Sequence, residues 1–163
     1  MRLKGTNNGT REERSCVTGN NRVEFITHSP EETVDLGRKL AARLPQPCLV
    51  VLEGELGSGK TTLVKGIVSG LGVARQEEVT SPSYTLVHEY GRERKVYHAD
   101  LYRVEGAREL ATLGLEDLLE QEGTVIVEWG EKLLDLETEA QVKIRMELVE
   151  GDDRRVTIEG LEE

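Results

Sequence analysis

The sequence predicts a single α/β domain on a mostly parallel central sheet, with flanking helices and antiparallel additions. Three observations predict it. Cys48-Leu49-Val50-Val51-Leu52 is an apolar run without alternation, as a strand buried on both faces of a parallel sheet requires. A glycine-rich loop follows it at once and opens a helix, the order of a phosphate-binding strand–loop–helix unit. A second unbroken β-rich run, Thr124–Glu128, returns after two short helical stretches. At 163 residues the chain holds one core and is too short for two ordinary domains.

Residues 1–22, rich in Asn, Gly, Thr, Arg and Ser, show no periodicity and read as a disordered leader, leaving 23–163 as the domain. Val23–Thr27 reads as a strand. Ser29-Pro30-Glu31-Glu32 is a helix start, with Ser at the cap, Pro at the first helical position and Glu three residues after the Ser. The apolar stripe Val34, Leu36, Leu40, Ala41 and Leu44 carries that helix to about Leu44, before Pro45 and Pro47. Lys60 to about Leu71 is the next helix, closed by Gly70 and Gly72. After a polar connection, Tyr84–Tyr90 and Lys95–Asp100 read as a hairpin joined by Gly91-Arg92-Glu93-Arg94. Short helices fit Ala107–Leu113 and Leu115–Gln121, and late strands near Val142–Val149 and Arg155–Glu159 turn around Gly151.

The formal charge of -10 argues against a broad grip on nucleic acid or anionic lipid, which needs Lys and Arg to neutralise phosphates. The five arginines and lysines of residues 1–22, against Glu12 and Glu13, give that segment +3, so the rest carries -13. Any nucleic acid is then expected on a partner. Cys16 and Cys48 have no metal-type spacing, and no disulfide is expected. No apolar stretch fits a secretory signal or a membrane span, so no membrane contact and a cytoplasmic location are expected.

Gly54-Glu55-Leu56-Gly57-Ser58-Gly59-Lys60-Thr61 is a complete phosphate-cradling loop, and the fold class becomes P-loop NTPase-like. Its backbone N–H groups and helix N-terminus converge on one anion, while glycine lets the backbone approach phosphate without a side chain between. Glu55, Leu56, Gly57, Ser58, Gly59, Lys60, Thr61 and Thr62 are the candidate nucleotide-binding residues. Lys60 reaches for the terminal phosphates and Thr61 for magnesium. Phosphoryl transfer also needs carboxylates, and Asp100 and Glu128 end predicted strands, where open α/β sheets place their ligands. Eighteen of the 31 acidic residues follow position 103, so carboxylates such as Glu116, Asp117 and Glu120 read as solvated faces instead. His98 shares a strand face with Asp100 and is either beside the nucleotide or a packed, hydrogen-bonded histidine. Trp129 is open between the nucleotide and ordinary packing. Ser81-Pro82-Ser83-Tyr84 follows the loop's helix, where segments that sense the terminal phosphate lie, and Pro82 also fits a plain turn.

Gly54–Thr62 (GELGSGKTT), Ser81–Leu86 (SPSYTL), Tyr97–Arg103 (YHADLYR), Glu109–Leu115 and Val127-Glu128-Trp129 together resemble the TsaE (YjeE) family of bacterial ATPases. Order and spacing agree over about residues 23–135. The resemblance implies a magnesium-dependent ATPase needed for threonylcarbamoyladenosine, the modification beside the anticodon of tRNAs reading codons that begin with A. It implies ATP and Mg2+ as cofactors and the TsaB–TsaD pair as partner, with tRNA met mainly through that pair. By motif position, Lys60, Asp100 and Glu128 would be catalytic, and Thr61 with Glu128 would hold magnesium. Asp100 would activate water or act in outer-shell metal binding, and Ser81, Pro82, Ser83 and Tyr84 would form the switch. Thr33 is a weak candidate on the adenine side. The chain departs from the pattern at Ser83, where Thr is usual, and at Gly130, where another residue is commoner. A small P-loop kinase and a nucleotide-dependent scaffold without required hydrolysis are the alternatives; no Arg-rich lid segment separates Asp100 from Glu128, which disfavours the kinase.

Overall fold

The computed structural model describes residues 15–18, 21–133 and 141–161. In chain order the strands and helices are β1 (Ser15–Thr18), β2 (Arg22–Thr27), α1 (Pro30–Ala41), β3 (Cys48–Glu53), α2 (Lys60–Gly70), β4 (Val87–Tyr90), β5 (Val96–Asp100), α3 (Gly106–Thr112), α4 (Leu115–Glu120), β6 (Thr124–Glu128), β7 (Gln141–Leu148) and β8 (Arg154–Glu159). They form one eight-stranded sheet of order β1-β2-β8-β7-β3-β6-β5-β4. β7, β3, β6 and β5 run parallel at its centre, and β4, β8 and the β8–β2–β1 ribbon add antiparallel pairs.

β1 lies inside the segment whose composition reads as a leader, and it pairs antiparallel with β2. Its pairing follows from the edge that β2 offers, a tertiary cue that local composition does not carry. Residues 1–14 and 19–20 of that segment lie outside the described residues.

Ser29 caps α1 by accepting the Glu32 N–H at 3.1 Å, and the Glu32 carboxylate accepts the His28 N–H at 2.7 Å. The helix ends at Ala41, short of Leu44, and the Arg43 N–H closes a tighter turn onto the Leu40 carbonyl at 2.9 Å. Pro45 holds Leu44 out of helical geometry, which accounts for the early stop.

The central sheet separates two cores. Val50, Leu52, Ile126, Val142, Ile144 and Met146 pack beneath α1 and α2. Leu49, Val51, Tyr97, Ala99, Val125 and Val127 pack beneath α3, α4 and the loops around them. β7 alternates, with Val142, Ile144 and Met146 buried and Arg145 and Glu147 exposed, although it pairs parallel with the central strand. Among the described residues, helices cover only one of its faces. On the other, Lys143 and Arg145 meet Glu53 at 3.1 and 3.4 Å. No helix among the described residues is long and apolar enough to cross a membrane.

Candidate phosphate-binding site

Strand register assembles the site. Leu52 of β3 stands beside Glu128 of β6, and Glu128 beside Asp100 of β5. These three positions form a row across the carboxyl ends of parallel strands, with the glycine loop springing from β3 just beyond it. Their side chains face the α1–α2 layer, because Leu52 belongs to its core.

Gly54 cannot be another residue. A Cβ there would lie 2.6 Å from both the Met146 carbonyl oxygen and Ser58 Oγ. The loop thus closes against β7, and the Ser58 N–H turns back onto the Glu55 carbonyl at 3.1 Å just before α2. Lys60, the first residue of α2, is 5% exposed and donates from Nζ to the carbonyls of Gly54 at 2.6 Å and Glu55 at 2.9 Å. Burial pushes its pKa below the ordinary lysine value, and the carboxylates of Glu128, Glu131 and Asp100 oppose that shift. Its ammonium also lies 4.2 Å from the centre of the Trp129 ring. Glu55, Leu56 and Gly57 form the exposed tip, Ser58 is buried, and Thr61 and Thr62 are half-buried.

Thr61 Oγ1 donates to Glu128 Oε1 at 2.8 Å. His98 Nε2 meets the same oxygen at 2.8 Å. Asp100 takes donors on both of its oxygens. The Tyr102 N–H reaches Oδ1 at 2.8 Å, and the hydroxyls of Ser81 and Ser83 reach Oδ2 at 2.7 and 3.4 Å. Asp100 therefore ties the Ser81–Tyr84 segment to the strand end through the two serine hydroxyls. Tyr84 is 84% exposed, with the Arg103 guanidinium 4.3 Å from its ring centre.

Trp129 takes a left-handed backbone conformation, φ 61°, directly after Glu128. Such a conformation in a bulky residue is strained and persists only where the surroundings enforce it. Gly130 is part of that enforcement: a Cβ there would lie 1.9 Å from Val51 Cγ1, so only glycine lets the turn close onto β3. Lys132 then donates to the carbonyls of Tyr102 at 2.6 Å and Val104 at 3.2 Å, joining the loops after β5 and β6. A cleft of about 460 Å³ opens beside the loop between Glu53, Glu55, Trp129, Glu131 and Arg145.

The structure thus brings together Lys60, Thr61, Glu128, His98 and Trp129, with Asp100, Ser81 and Ser83 beside them. Thr33 is not among them; it is 2% exposed, and its hydroxyl is engaged by Thr27 Oγ1 at 2.8 Å and by the Ser29 carbonyl at 3.2 Å. Sequence reasoning missed Met146, Tyr102 and Lys132, and also Arg154, whose guanidinium donates to the Gly57 carbonyl at 3.4 Å. Their roles run through backbone atoms or long sequence separations, for which no local pattern exists.

Among the described residues no group of three or more His, Cys, Asp and Glu side chains is placed to hold a metal ion. Thr61 and Glu128 instead suit magnesium, which binds through few protein oxygens while phosphates and waters complete its shell.

A glycine loop at the end of a central parallel strand, with its lysine and threonine facing a carboxylate from the adjacent strand, defines a P-loop nucleotide-binding protein. Comparison with known proteins narrows the class. The family model described as "Threonylcarbamoyl adenosine biosynthesis protein TsaE" matches residues 27–156, and the chain belongs to the TsaE family. The tRNA threonylcarbamoyladenosine biosynthesis protein TsaE of Treponema pallidum is 32% identical over 136 residues, covering 83% of this chain and 99% of that protein. The protein of the same name from Bacillus subtilis is 34% identical over 136 residues, 83% of this chain and 84% of that one. The Streptomyces coelicolor TsaE is 39% identical over 137 residues, 79% of this chain and 90% of its own. The crystal structure of Bacillus subtilis YdiB superposes with a TM-score of 0.69 at 28% identity, covering 90% of each chain.

Proposed function

We propose that this chain is a cytoplasmic, magnesium-dependent ATPase that supports threonylcarbamoyladenosine formation in tRNA by acting with TsaB and TsaD. The observation that carries the reading is the meeting of Thr61 with Glu128 at 2.8 Å, beside the Lys60 ammonium at the loop. The Glu55–Thr62 backbone binds the phosphate chain. Entering phosphate oxygens compete with the Gly54 and Glu55 carbonyls for the Lys60 ammonium, so the lysine exchanges one set of acceptors for another. Thr61 and Glu128 would hold magnesium, which when bound would neutralise charge on the phosphates. Asp100 holds Ser81 and Ser83 at the strand end and orients the attacking water from there. Trp129 shields the lysine from solvent, which strengthens its attraction for anions. The acidic surface leaves tRNA contact mainly to the partners.

Lys60→Ala and Glu128→Ala are each expected to abolish partner-stimulated release of phosphate from ATP, measured with the assembled proteins. Retained turnover in both would overturn the reading. Labelled phosphate appearing on a metabolite rather than free in solution would indicate a kinase. A Glu128→Ala protein that still supports tRNA modification in cells would indicate a nucleotide-dependent scaffold.

A further inference from the structure

We propose that His98 is a positioning residue whose Nε2–H holds the Glu128 carboxylate in the orientation that receives the nucleotide-bound magnesium; this rests on the ATPase reading above. His98 is completely buried in the middle of β5. It stands beside Ile126, so Glu128 is its diagonal neighbour on the same sheet face, and the carboxylate reaches back to it at 2.8 Å. Thr61 donates to the same Oε1, also at 2.8 Å. Among the described residues no hydrogen bond falls on Oε2, so both donors fix the carboxylate through one oxygen and leave the other for a further partner.

The tautomer follows from the surroundings. Nδ1 is buried and has no hydrogen-bond partner. A proton on Nδ1 would be a buried donor without an acceptor, while the bare Nε2 lone pair would face a carboxylate oxygen. The proton on Nε2 removes both conflicts and leaves only an unpaired lone pair at Nδ1. That residual penalty has no packing return, because an apolar side chain, as at Val96 and Ala99 on the same strand, would fill the position without it. The Thr61 hydroxyl would have to serve a metal through a lone pair as well as the carboxylate through its O–H, whereas the His98 Nε2–H has the carboxylate as its partner. Partners of this kind, one bond behind a ligand, commonly change metal affinity or activity by about 10- to 100-fold when removed.

The test compares His98→Leu with His98→Gln, whose amide can donate at a similar reach. Binding of a fluorescent ATP analogue to the full chain is titrated with Mg2+ and repeated in EDTA. His98→Leu is expected to raise the half-saturating Mg2+ concentration by about tenfold or more, with binding in EDTA unchanged within about twofold, and His98→Gln to restore most of the loss. An unaltered Mg2+ requirement in His98→Leu, or equal losses in EDTA for both variants, would overturn the proposal in favour of packing. A long-range proton–nitrogen spectrum of the unsubstituted chain tests the link without nucleotide or metal. A ring protonated at Nε2, whose signal moves in Glu128→Gln, supports it; protonation at Nδ1 alone overturns it even if both His98 variants fail to fold. Failure of the unsubstituted chain to bind the analogue would instead remove the ATPase reading.

Discussion

On one face of the sheet α1 and α2 cross with backbone against backbone, whereas on the other α3 and α4 cover β5 and β6 mostly through half-exposed leucines. A Cβ on Gly66 would lie 2.1 Å from the Val34 carbonyl oxygen, and one on Gly37 would lie 2.5 Å from that of Leu63. α1 buries Thr33, Val34, Leu36, Gly37, Leu40 and Ala41, while α3 buries no residue and α4 only Leu115. The close crossing lies under the helix whose first residues are Lys60 and Thr61. The looser layer lies on the connection between the strands of Asp100 and Glu128. One layer thus holds the phosphate loop in place, and the other bridges two carboxylate-bearing strands without setting their position, which the sheet register already does.

The sharpest way to break this contrast is to change one methyl group in each layer, adding it at the α1–α2 crossing and removing it from α3. Gly66→Ala is expected to destabilise the chain by about 3 kcal/mol in urea unfolding, since only backbone atoms are there to give way. Ala111→Gly on exposed α3 is expected to cost about 1 kcal/mol, the helix-propensity difference alone. Equal effects would mean the layers do not differ. Native-state hydrogen exchange offers an intermediate test. Amides of α2 are expected to exchange only through global unfolding, and those of α3 and α4 through local opening at lower free energy. The caps differ in the same sense, and the smallest expected effect is at the cap of α3. Ser29→Ala removes the bond to Glu32 and is expected to cost about 1 kcal/mol. Glu105 makes no side-chain cap bond to α3, and Glu105→Ala is expected to stay within about 0.5 kcal/mol.

Much of the site was legible because its signals are local. The glycine loop, the Ser29 cap and the buried runs of β3 and β6 are written in consecutive residues. Asp100 and Glu128 were legible as strand ends. The Glu128–His98 contact was not, since it needs β5 and β6 to be neighbours in a particular register. β7 is legible as a strand that turns around Gly151 into β8, and the two do pair antiparallel; its alternation hid its second, parallel pairing with β3, because an outer face without a helix produces the pattern of a solvated sheet. Gly130 looked like a departure from the family pattern, and only the packing against Val51 explains why it is glycine.

The sequence by itself determined the strand–loop–helix unit, the candidate phosphate-binding residues and the family, because each depends on backbone freedom and residue type within a short window. Only the tertiary structure decided which donors sit on Glu128, that Asp100 tethers the Ser81–Tyr84 segment, and that Trp129 lies over Lys60. Those contacts depend on strand register and on how closely two backbones approach, and both are set by the packing of segments far apart in the chain.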